Sequence, residues 1–194
     1  MYANHIRSYA LSAFVAVSGL SMLGCTTSQI GDRASATSKH AAVDAQIDAE
    51  LSKLYNTVPG ARDMVAASKG MLVFPAVVGG SFVVGGEFGH GALRIKGRTQ
   101  KYYNIAAGSI GWQAGAQSKG IFYLFTTQEA LDKFLASNGW IAGVDATVAI
   151  ANVGANGSID TNTMRAPVVG FVLANAGLEI GASVQGMKIS ENRL

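Results

Sequence analysis

The chain has 194 residues, 49% hydrophobic and only 14% charged, enough for one domain with its own core and too few to require two. Its net charge of +3 falls to +2 after Cys25, well short of the dense basic footprint that nucleic-acid binding needs. Glycine supplies 24 residues against three prolines, which together with the high apolar content argues for a glycine-rich sheet rather than a disordered chain.

The N-terminus reads as a secretory leader over residues 1–24. Arg7 precedes an apolar run over residues 9–23, about 15 residues long and short of the roughly 20 that cross a bilayer. Cys25, the single cysteine, follows directly, so no internal disulfide can form. The motif SMLGC at 21–25 resembles a bacterial lipobox, with Met22 where leucine is more usual, and makes Cys25 the candidate lipidation site. Thr26 and Thr27 follow it with no Asp. By resemblance to sorted bacterial lipoproteins, that favours the outer membrane, facing the periplasm.

Residues 25–38 comprise this cysteine and a Ser/Thr/Ala-rich stretch without periodicity. They read as a flexible tether with a mean reach of about 20 Å, and the domain proper occupies 39–194. Helical spacing then brings Val43, Ile47, Leu51, Leu54, Tyr55 and Val58 onto one face. Pro59 ends that helix. A short second helix fits residues 61–68, with Gly70 as its C-cap.

From residue 71 the pattern changes to sheet. Strands are expected near 71–75, 81–88, 91–97, 101–106, 109–117 and 121–126, with a hairpin turn at 97–100. Leu93 and Ile95 alternate with Arg94 and Lys96, the period of a strand with one dry and one wet face. The doublet Gly85-Gly86 suggests closely approached or strained backbone. A helix follows at 128–137, with Thr126 and Glu129 spaced as a capping box. Strands are expected again at 140–152, 167–175 and 178–189, around a polar loop at 158–165. Connections too short for crossover helices make the sheet antiparallel. The fold class is therefore α+β: a curved, mostly antiparallel β-sheet or partial barrel, with N-terminal helices and one short inserted helix.

The run GSFVVGGEFGHGAL, followed by AAGSIGWQAGAQS and IFYLFTTQEALDKFL, resembles the SYLF domain family, over roughly residues 69–189. Eukaryotic members bind phosphoinositide membranes and work with actin patches, and bacterial members are mostly secreted or lipid-anchored. The resemblance implies a binding module with no catalytic activity and no cofactor. In eukaryotic members a basic amphipathic helix ahead of the domain inserts into membranes. Here the matching helix carries Lys39 and Lys53 against Asp44, Asp48 and Glu50, a balance unsuited to that role.

The residues offer little chemistry of their own. His40 falls in the tether and His90 in a glycine-rich turn, neither placed as the base of a nucleophilic triad, and the four Cys or His ligands of a structural zinc site are not available. Glu87 and Asp145 fall in apolar surroundings, where an acid is either paired or functionally tuned. The one binding constellation is Arg94, Lys96, Arg98 and Lys101 around a hairpin, with Tyr102 and Tyr103 behind, a combination suited to anionic lipid headgroups. The leading expectation is a lipid-anchored envelope module contacting membrane lipid, its protein partner left open. Its rivals are a carrier enclosing an apolar ligand in the curved sheet, and an enzyme built on an acid pair.

Overall fold

The computed structural model of the chain describes residues 28–81, 84–110, 117–151, 159, 163, 165–174, 177–179 and 183–192. The leader and Cys25 lie outside them. Helices α1 (Ser28–Thr57) and α2 (Ala61–Ala67) precede strands β1 (Gly70–Ser81), β2 (Val84–Ile95), β3 (Arg98–Ile110) and β4 (Gln117–Phe125). Helix α3 (Gln128–Ala136) and strands β5 (Trp140–Ile141), β6 (Val148–Ile150), β7 (Val168–Ala174), β8 (Gly177–Leu178) and β9 (Lys188–Glu191) complete the order.

The strands form one sheet in the order β5-β9-β3-β2-β1-β4-β7-β6, with β8 on β7. Every pairing is antiparallel except β6 with β7. The two ends of this sheet meet: Trp140 of β5 and Val148 of β6 share one buried cluster, and Ala142 bridges to Ala146. The sheet is thus curled into a half-barrel around that cluster, as the sequence led us to expect. Phe74, Tyr123, Phe125, Trp140 and the inserted Phe134 of α3 fill the interior, with Phe125 and Phe134 ring centroids 5.0 Å apart. Among the described residues these rings pack edge-on or tilted against one another, Phe134 and Trp140 at 5.7 Å and Tyr123 and Trp140 at 5.6 Å.

Helix α1 lies on the outer face. Ile47, Leu51, Leu54 and Val58 bury against Val73, Phe122, Leu124 and Phe171, matching the helical spacing of the sequence. Its start differs from the expectation: α1 is already helical at Ser28, so residues 28–38 are helix rather than tether, and His40 sits on α1.

The curl originates in β1. Val73 pairs with Ala92 and Ala76 with His90, so Phe74 and Pro75 together oppose Gly91. Across the other edge, Phe74 pairs with Ile121 and Val77 with Lys119, so Pro75 and Ala76 oppose Gly120. Proline has no N–H for a ladder, and a bulge is where a central strand accommodates it. Residues opposite the bulge must give way. A Cβ on Gly91 would stand 2.1 Å from the Val73 carbonyl oxygen, and one on Gly120 would stand 2.5 Å from Glu50 Oε1 of α1. Gly86, expected to be strained, is an ordinary strand position whose Cβ would meet nothing closer than 3.6 Å.

Several boundaries shift. β1 runs through the proline to Ser81, β2 joins the expected 81–88 and 91–97 strands, and β3 joins 101–106 to the start of 109–117; residues 111–116 lie outside the described set. The turn is the two-residue Lys96-Gly97, with φ of 51° and 75°, a left-handed pair matched to strand twist. α2 is capped by Ser68, and Gly70 opens β1. α3 is capped by Thr127, whose hydroxyl accepts from Ala130 N, while Thr126 Oγ1 donates to the Ala166 carbonyl; the N-cap is thus displaced by one residue, and the expected Thr126–Glu129 capping box gives way to a single cap bond, with Glu129 paired to Lys133. The expected strand 140–152 resolves into β5 and β6 about a turn, and 178–189 into β8 and β9. Within the polar stretch 158–165, Thr163 and Arg165 are helical.

Gly91→Ala is expected to lower stability by about 3 kcal/mol, because its new methyl group meets backbone that can move only with the bulge. Gly86→Ala should stay within about 0.5 kcal/mol of the parent or gain slightly. Urea midpoints of the two variants check both; equal midpoints would mean the bulge tolerates a side chain.

Candidate functional site

The wet face of the Leu93–Lys96 alternation is not solvent. α1 crosses it, and Asp44 and Asp48, one helical turn apart, present carboxylates to the same side. Arg94, only 10% exposed, lies beneath them. Its Nη1 donates to Asp48 Oδ1, and its Nη2 donates to the Asp44 carbonyl at 3.2 Å and to Asp44 Oδ1 at 3.4 Å. Thr99 Oγ1 donates to Asp44 Oδ1 at 2.7 Å, and Tyr102 OH to Oδ2 at 2.8 Å. The His40 ring stacks on Tyr102, centroids 3.7 Å apart and within 5° of parallel. Burial pushes the Asp44 carboxyl up, but hydrogen bonds from Thr99, Tyr102 and Arg94, with the Arg94 charge, outweigh it and hold the group below its ordinary value. Burial, with the Asp44 hydrogen bond and charge, pushes Tyr102 up to about 12.

This network divides the basic constellation of the sequence. Arg94 and Tyr102 face α1 and are committed to Asp44 and Asp48, so Arg94 does not share an open face with Lys96. Tyr103 points into the half-barrel against Phe134, and burial, then Glu191, push it up to about 12. Lys101 pairs with Glu191 at 3.0 Å. Lys96 and Arg98 remain exposed at the turn, and neither makes an ion pair within the described residues. The acids of the sequence reading are also engaged. Glu87 pairs with Lys119 at 2.9 Å beside Gly79, and Asp145 accepts from Ile141 N in the turn after β5.

Beyond the network, toward the start of α1, helix and sheet separate into a cleft of about 440 Å3. Lys39, His40, Val43 and Gln46 line it from the helix, and Ala76, His90 and Tyr102 from the sheet. His90 is on strand β2 rather than in a turn. Its Nδ1 lies 2.7 Å from Asn104 Oδ1, and its ring meets Phe88 edge-on at 4.8 Å. Local spacing carries no sign of this cleft, because its two walls are some 30 to 60 residues apart in the chain and only α1 docking brings them together. Among the described residues no cluster of His, Cys, Asp and Glu could hold a metal ion, and no helix is long and apolar enough to cross a membrane.

Residues 106–193, from the end of β3 through β9, match the family model Ysc84, described as Las17-binding protein actin regulator. No curated protein matches the chain.

Arg94→Ala should cost about 2–3 kcal/mol, since it leaves Asp44 half-buried without its cation. The network also sets a pH window. The depressed Asp44 contributes stability above the unfolded carboxylate value of about 3.9 and loses it as pH falls through the folded one. Tyr102, raised, contributes below about pH 10 and loses its contribution as pH rises through about 12. Urea midpoints against pH should therefore show a flatter acid limb for Asp44→Asn and a flatter alkaline limb for Tyr102→Phe than for the parent.

Proposed function

Because residues 106–193 match the Ysc84 family model, we propose that the chain is a lipid-anchored binding or scaffolding module of the bacterial envelope, held through Cys25 on the outer membrane and facing the periplasm. It acts without catalysis, by presenting the outer face of its half-barrel to membrane lipid or to a partner protein. The family match carries this reading, since that family is described by what it binds and regulates rather than by a reaction. The anchor rests on the leader-like run ending in SMLGC. Diacylated or triacylated cysteine holds a protein stably where one chain holds it only marginally.

The hairpin supplies part of the lipid contact at most. Two free cations, Lys96 and Arg98, contribute about 1 kcal/mol each near an anionic surface, a dissociation constant of tens of millimolar. That is weaker than the millimolar effective concentration a short tether supplies. The tip also stands by Leu51 and Tyr55, with which Lys96 and Gly97 share a second cleft. Those residues lie about 35 Å along α1 from Ser28 at 1.5 Å per residue.

Cys25→Ser is expected to move the protein from the membrane fraction to the soluble periplasm. A serine variant that still sediments with membranes in high salt would remove the anchor from this proposal.

A further inference from the structure

Near the start of α1 the outer face of the sheet is uncovered, and register shows what lies there. Ser118 of β4 pairs with Val78 of β1, Val78 with Phe88 of β2, Phe88 with Ala106 of β3, and Ala106 with Lys188 of β9. Cα partners share a face, so these five side chains form one row across five strands. All five are exposed; Val78 is 52% exposed and Phe88 49%, the two large apolar side chains left bare on this sheet face among the described residues. The next row outward is Gly80, Gly86 and Gly108, in register, and among the described residues no side chain overhangs the apolar pair. The row inward is Ala76, His90 and Asn104, at the mouth of the cleft whose helix wall begins at Lys39. Lys39 and Lys188, both exposed, lie at the margins and make no ion pair within the described residues.

An apolar centre on a flat surface with cationic margins is the composition of a face that sits in a membrane interface, with hydrocarbon under the apolar groups and anionic headgroups at the cations. Its position fits the same occupant. Lys39 stands about 16 Å along α1 from Ser28 at the helical rise, and Ser28 follows Cys25 by three positions. A bilayer holding Cys25 acyl chains would therefore lie at this end of the half-barrel, away from the Lys96-Gly97 turn. We infer that the patch of Val78 and Phe88, flanked by Lys39 and Lys188, is the surface the anchored domain lays on anionic lipid. This rests on the anchoring reading above and adds which face meets the bilayer.

The test uses the full-length acylated protein reconstituted into vesicles. Acylation blocks Cys25, so a cysteine introduced at position 88 or 78 is the single free thiol and can carry an environment-sensitive fluorophore. Val144, 74% exposed in the turn after β5, and Lys96 at the hairpin are the comparison positions. Vesicles contain anionic phospholipid with nitroxide groups on the acyl chains near the headgroup. Labels on Phe88→Cys and Val78→Cys are expected to be quenched several-fold more than those on Val144→Cys and Lys96→Cys. Charge reversal of Lys39 and Lys188 to glutamate in the labelled Phe88→Cys protein should remove most of that excess in anionic vesicles, and change little in zwitterionic ones. If the protein stays on the vesicles but all labels are quenched alike, the patch is not the bilayer face, while the anchor stands. Stronger quenching at Lys96→Cys would move the contact to the hairpin and overturn the inference. A protein that mass spectrometry shows to be unacylated at Cys25, and that does not partition into the vesicles, overturns the anchoring reading and this inference together.

Discussion

One residue more in β1 than in its neighbours governs the shape of this molecule. Pro75 has no N–H to offer and sits in the middle of the sheet, with β2 on one side and β4 on the other. Each neighbour opposes the extra residue with a single glycine, Gly91 of β2 and Gly120 of β4. The extra residue reverses the facing of everything after it. Before the bulge, Leu72 and Phe74 look inward; after it, Val77 does, and Val78 looks out. A strand without the extra residue would bury Val78 and put Val77 outside. Gly91 and Gly120 are the consequence on either side, one making room for the Val73 carbonyl and the other for Glu50 of α1.

The second constraint couples the helix to this sheet. The apolar face of α1 would pack in several sliding positions, as apolar faces do. Arg94 admits few, because its guanidinium must reach two carboxylates one turn apart while Thr99 and Tyr102 donate to one of them. A half-buried charge network of this kind adds little net stability but penalises every wrong register. It therefore fixes where α1 begins relative to the strands, and with it which part of the outer face stays bare.

Much of the architecture was legible from spacing alone. The apolar positions of α1 recur at three and four, α3 carries its helix signature, and the short connections between strands leave antiparallel pairing as the simplest solution. What escaped is instructive. A proline inside an apolar run reads as a strand end, so β1 was expected to stop at the residue where it bends. The helical start at Ser28 has no apolar periodicity to announce it, since residues 28–38 are mostly Ser, Thr, Ala and charged side chains. Arg94 and Tyr102 looked like free headgroup ligands because the acids that occupy them stand some 46 to 58 residues away in the chain. Strand alternation says which residues share a face, but not whether that face meets water or another element. The exposed row was hidden for a related reason: its five members come from five strands, and only register unites them.

The stretch of β3 just after the turn has one occupied side. It pairs with β2 throughout, but β9 reaches only Tyr103 to Ala106, with one further bond from Asn192 to the Tyr102 carbonyl. Among the described residues nothing pairs with 98–101 on that side, and such a margin is the kind of template on which a second polypeptide can add a strand. Arg98 and Lys101 stand on that margin, and a bulge between Leu93 and Arg94 twists it out of line. Charge and twist together discourage edge-to-edge growth. The basic hairpin is in this sense a guard against self-association: an unprotected margin would let copies of the chain add edge to edge and seed stacking into fibres.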